Sequence, residues 1–216
     1  LPLRVFAEDF VTALLSIDSR WYKTVTGLFV KPGKVTFDYI EGRRVCYLSP
    51  VRTYLSVSIV YFIVVRLVQS SQVFLIDFSP NEGTTAQVAV IVKYALFFFV
   101  PIFGGIVQLF HRKRKAYYVE YLIFALHIHS VWLVLLIVKD LATWLGSTLP
   151  TGWIYHITFA VTALAQFAMF MYLVIYLKNT FMQKWVSSIS KALGVVALYM
   201  LCLVIGTVSY LFIFYE

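Results

Sequence analysis

The chain has 216 residues, of which 61% are hydrophobic and only 13% charged, with a formal net charge of +8 and a mean hydropathy of +0.84. Soluble domains average about 45–50% apolar and about 25% charged residues, and a single soluble core of this length cannot hold the excess. A soluble fold is excluded, and an all-α integral membrane protein is expected.

The chain starts at Leu1 rather than Met, so further residues upstream are expected. Leu3, Phe6, Phe10, Leu14 and Ile17 recur at helical spacing, with Arg4, Glu8, Thr12 and Ser16 opposite them. That pattern predicts an amphipathic helix lying in a membrane interface and not a cleavable signal peptide. Asp18 can cap a second helix carrying Trp21, Val25, Leu28 and Phe29, stopped by Pro32-Gly33. A third short helix is expected over 34–41, ending at Gly42. Residues 1–49 thus form a set of interfacial helices ahead of a bundle at 50–216. Two roles are open to them: packing on the ends of the bundle, or a surface platform for lipids or a partner.

A spanning helix needs about 20 mostly apolar residues. Five segments qualify, near 51–71, 88–110, 117–138, 153–177 and 190–214. Ser49-Pro50 predicts an N-cap followed by proline in the first turn. Asn81-Glu82-Gly83 and "GSTLPTG" (146–152) mark turns between spans. Pro101 and Gly104-Gly105 interrupt the second span, and with no internal repeat to match them they predict a packing kink. Lys and Arg are dense before the first span, absent from 72–87, dense again in "HRKRK" (111–115), reduced to Lys139 in the next loop, and return as Lys178, Lys184 and Lys191. The alternation predicts a cytoplasmic N-terminus and an external C-terminus.

The stretch "IDSRWYKTVTGLFVKPGKVTFDYIEGRRVCYLSPVRTYL" carries a recurring pattern at Asp18, Thr24, Leu28, Pro32, Gly33, Tyr39, Gly42, Arg44, Tyr47, Pro50 and Tyr54. It resembles the signature of a bacterial membrane family, domain of unknown function 3667. "YLIFALHIHS" (121–130) is similar to that family's middle span. The resemblance implies a multi-pass protein of the bacterial inner membrane and brings no activity or cofactor with it. Members often carry a paired-cysteine zinc ribbon upstream. The cysteines here are Cys46 and Cys202, for which neither a disulfide nor a metal site is expected.

Ionisable groups inside spans are costly and raise functional hypotheses. Arg66 and Lys93 fall at similar depth near the outer surface, with Asp140 as the available carboxylate. Either they snorkel to external headgroups or they hold a lipid phosphate or small carboxylate. His127 and His129 point about 200° apart on a helix, so they cannot chelate one ion from the same face, and one of them is expected to face the interior. Glu120, His127 and Ser130 form one polar stripe, and Thr158, Thr162 and Gln166 another, which could meet in a polar seam. Tyr117, Tyr118 and Tyr121 beside "HRKRK" predict an interfacial anchor. The basic residues Arg43, Arg44, Arg112, Lys113, Arg114 and Lys115 are expected to contact anionic lipids of the cytoplasmic leaflet, not nucleic acid, because a bilayer adjoins them.

No hydrolase, nucleotide-binding or metalloprotease motif is present, which leans against an enzyme. The leading expectation is an accessory or scaffold protein engaging anionic lipids, within a larger membrane complex or a homo-oligomer. The alternatives are a small transporter or channel with a polar intramembrane site, and a membrane enzyme acting on a lipid or quinone.

Overall fold

The structure, a computed structural model, describes residues 19–68, 99–148 and 152–214. The amphipathic pattern of 3–17, the Asp18 cap, the 81–83 turn, Lys93 and the first half of the segment expected at 88–110 lie outside these residues. The described residues form seven helices and no strand. They are α1 (Ser19–Val30), α2 (Lys34–Ile40), α3 (Pro50–Val68), α4 (Val100–Phe110), α5 (Tyr118–Thr148), α6 (Gly152–Phe181) and α7 (Trp185–Phe214). Four of them, α3, α5, α6 and α7 as far as Gly206, are long and apolar enough to cross a membrane.

Local chemistry explains the element ends. Ser49 precedes Pro50, and its hydroxyl accepts a hydrogen bond from the Arg52 amide at 3.3 Å, as a side-chain cap should. Gly33 and Gly42 have φ of 82° and 91°, left-handed values that an L side chain adopts only at a cost. They begin and end the α2 unit. Pro101 falls in the first turn of α4, where its missing N–H breaks no helical bond. It opens the described helix, while the kink expected there concerns residues largely outside the described ones.

Helix α5 is the axis. Residues 123–133 are buried without interruption, so this helix has no solvent or lipid face there. It contacts α1, α2, α3, α4 and α6. It runs ten residues beyond the expected end at 138, because Lys139 and Asp140 end an apolar stretch without ending a helix. Helices α5 and α6 are antiparallel. The register is read from Tyr176 beside His127 through Thr36, from the Trp132 indole N–H donating to the Met169 carbonyl at 3.2 Å, and from Gly146 against Thr158. A Cβ on Gly146 would sit 2.6 Å from the Thr158 methyl, so glycine is what lets the far ends of the two helices touch. Gly194 does the same for α7 against the Phe110 ring of α4.

Candidate functional site

The segment before the first long helix is clasped onto the bundle. Tyr172 of α6 donates to the Leu28 carbonyl at 2.6 Å, and the Asn179 amide donates to the Pro32 carbonyl at 2.8 Å. Thr24, fully buried in α1, accepts from the Leu48 amide at 2.8 Å and donates to the Arg20 carbonyl at 2.7 Å. Asp38, buried in α2, takes the Arg43 guanidinium at 2.9 Å and the Tyr47 hydroxyl at 3.1 Å. Burial and that carboxylate both raise the Tyr47 pKa, which holds the phenol as a donor. Arg44 lies 5.6 Å over the Tyr39 ring. The charges of Arg43 and Arg44 are thus engaged within the fold.

At the point where α2 meets the axis lies a buried polar chain. Thr36 is within hydrogen-bond reach of the Tyr176 hydroxyl and lies 2.7 Å from His127 Nδ1. Tyr39 presents an edge to the same imidazole, with ring centroids 6.2 Å apart. Nε2 of His127 is buried and makes no hydrogen bond among the described residues. Two residues on, His129 donates or accepts at both nitrogens, to the Ala125 carbonyl at 2.8 Å and the Tyr199 hydroxyl at 3.2 Å, and packs edge-on to Phe103. Both histidines are therefore interior, where one was expected to be. The reason is that α5 is surrounded on all sides: opposite faces of the helix are both core.

The end of the bundle that carries α1 and α2 is strongly basic. Arg112, Lys113, Arg114 and Lys115 are all exposed there. Arg112 and Arg114 border a cleft of about 430 Å³ whose other wall is Gly105, Gln108 and Leu109 of α4. Arg114 also reaches the Glu120 carboxylate at 3.5 Å and stacks 5.2 Å over Phe181. Glu120 accepts in addition from the Tyr117 amide, so it caps α5 at the basic end and does not share a contact with His127. A second groove, of about 660 Å³, is bordered by Lys31, Lys34 and Lys178. Between the two, His111 is buried at the end of α4. Its Nδ1–H donates to the Val107 carbonyl at 2.7 Å, and Nε2 accepts from the Gln183 amide. Burial pushes its pKa down to about 4, and Lys191 and Arg114 add to the effect.

The remaining candidates are scattered. Arg66 is exposed, two residues before the end of α3. Asp140 is buried and lies 3.7 Å from the equally buried Lys139, giving that carboxylate a neighbour other than Arg66. Gln166 is half-buried on α6. Ser130, Thr158 and Thr162 each donate to a carbonyl of their own helix, and the antiparallel register puts Thr158 against Gly146 rather than near His127. Tyr121 is core, against His111 and Phe181, while Tyr117 is exposed as an interfacial residue would be. Among the described residues no three or more His, Cys, Asp and Glu side chains gather as metal ligands would. Thr36, Tyr176 and the three-lysine groove carried no sequence signal, since each depends on helices far apart in the chain.

Helices of this length and apolarity define a helical membrane protein. Within it, residues 18–62 match the family described as Protein of unknown function (DUF3667), in agreement with the resemblance read from that stretch. No curated protein and no solved structure matches the chain. The signature residues of the matched stretch map onto the clasp: Thr24, Leu28, Pro32, Gly33, Tyr39, Gly42, Arg44 and Tyr47 make or border the contacts just described. In this chain those residues hold the segment ahead of the first long helix against the bundle. The 121–130 stretch lies beyond the match.

Proposed function

We propose that this is a non-enzymatic accessory protein of the bacterial inner membrane that engages anionic lipids at its basic, cytoplasmic end. In this reading the chain crosses the bilayer five times, the α4 segment included, with interfacial helices ahead of the first span and the C-terminus outside. The observation that carries it is the cleft at Arg112 and Arg114. Two arginines border it beside Gly105, Gln108 and the 39% exposed Leu109 at the end of a hydrophobic helix. A phosphodiester headgroup needs a cation fork with hydrocarbon immediately beneath it, and this cleft offers both. The alternation of basic and non-basic loops supplies the orientation.

The test is native mass spectrometry of the intact protein released into detergent from bilayers containing phosphatidylglycerol. Bound lipid is expected on the wild-type chain and is expected to fall about thirtyfold in Arg112→Gln/Arg114→Gln, since each surface cation contributes about 1 kcal/mol. Equal retention by both proteins refutes the reading. Turnover of a lipid, or movement of a solute by the purified protein alone, refutes its non-enzymatic, non-transporting part.

A further inference from the structure

We propose that the groove bordered by Lys31, Lys34 and Lys178 is a second lipid site, selective for a headgroup that carries two phosphates. The inference rests on the reading that the basic end faces lipid headgroups, and it adds a site and a specificity that the Arg112/Arg114 cleft does not supply.

The groove is built from fixed parts. The turn holding Lys31 and Lys34 is tied to α6 by the Asn179 amide on the Pro32 carbonyl, at 2.8 Å, and by the Thr180 hydroxyl on the Gly33 carbonyl, at 3.4 Å. Lys178 is held from the other side, its ammonium 4.8 Å over the Trp185 ring. Three lysines therefore line a cavity of about 660 Å³ with no carboxylate in its lining. Among the described residues none of the three is in an ion pair. The opposite wall ends at Met182, a non-glycine residue held at φ 54° and 79% exposed, with Val30, 74% exposed, beside the lysines.

Charge and apolarity together choose the occupant. One phosphodiester would neutralise one of three cations, whereas two phosphates on one headgroup leave a single charge for solvent. A soluble phosphate would leave the exposed Met182 and Val30 uncovered, whereas the glycerol and upper acyl segments of a lipid would cover them. Basic pockets at helix ends take such headgroups by this chemistry. The smaller cleft, with two guanidinium forks, matches one phosphate.

The experiment uses the full chain in phosphatidylcholine nanodiscs doped with either a diphosphatidyl lipid or phosphatidylglycerol, with bound lipid read by native mass spectrometry. Lys31→Gln/Lys34→Gln/Lys178→Gln is expected to lose the diphosphatidyl lipid by about a hundredfold and to keep phosphatidylglycerol. Lys34→Gln alone is expected to lose about fivefold, the equivalent of one cation. Arg112→Gln/Arg114→Gln is expected to show the reverse selectivity, so failure of the Arg cleft and failure of the Lys groove read out separately. Undiminished diphosphatidyl binding in the triple variant overturns the proposal, as does equal loss of both lipids, which would mean non-specific surface charge. Lysine-dependent binding of inorganic pyrophosphate as tight as that of the lipid overturns the lipid assignment. Lys34→Gln tests the same site if the triple variant does not fold.

Discussion

Single residues bear much of the architecture, and their roles differ by environment. Gly33 combines a left-handed φ of 82° with a Cβ site 2.9 Å from the Thr180 amide nitrogen, whereas Gly42, at φ 91°, has open space around it. Gly42→Ala is therefore expected to cost only the conformational term, about 1–2 kcal/mol, and Gly33→Ala distinctly more. Thermal unfolding of both variants in one detergent checks the order, and an equal loss would mean that α2 does not sit against α6 as described. Lys139 and Asp140 give a second residue-scale expectation. Lys139→Met removes the cation beside a buried carboxylate and is expected to destabilise by about 3 kcal/mol, while Lys139→Met/Asp140→Leu recovers most of it. Chemical denaturation of the two variants against wild type decides this, and a double variant as unstable as the single one would contradict it.

Helices that meet through one polar contact can be released through it. Thr36 joins α2 to both α5 and α6, so Thr36→Val is expected to loosen α2 and speed trypsin cleavage at the Arg43–Arg44 bond on the surface beside it. Breaking a buried hydrogen bond while leaving partners unsatisfied costs about 1–3 kcal/mol, enough to raise the open population roughly tenfold. Cleavage at wild-type rate would show that apolar contacts alone hold the helix. The contact between α4 and the α6–α7 turn is pH-sensitive with a definite sign. His111 is neutral in the fold down to pH about 4 but titrates near 6.5 when unfolded. Between those values the unfolded chain binds more protons, so His111's contribution is full above pH 6.5 and is lost as pH falls towards 4. A melting-temperature loss from pH 7 to pH 5 that is larger in wild type than in His111→Asn is the expected result, and equal losses would contradict it. The short elements were legible in the sequence because their ends are local chemistry: Pro32-Gly33, Gly42 and Ser49-Pro50 each act on their own neighbours. Their partners were not legible. Thr36 finds Tyr176 across 140 residues, and no spacing rule encodes that.

At the scale of the molecule, lengths set the relation to the bilayer. Helix α5, with 31 residues, is about 46 Å long, against a hydrocarbon core of ~30 Å. The surplus length leaves room near the start of α5 for α2 to reach His127 through Thr36. Apolar length made the long helices legible, whereas the central position of α5 was hidden, since a helix buried all round and one facing lipid are equally apolar. The proposed orientation has a direct check in the native cysteines: Cys46 is exposed and Cys202 is half-buried in α7. A membrane-impermeant maleimide is expected to label Cys46 in inverted vesicles and not in intact spheroplasts. Labelling in spheroplasts alone would reverse the topology. The clasp also sets an order of assembly during translation. Leu28 and Pro32 wait for Tyr172 and Asn179, 144 and 147 residues downstream. While the ribosome is still making the middle helices, the signature segment can meet α3 and α5 but lacks the α6 part of its dock. Its closure against α6 therefore waits until most of the chain has been made.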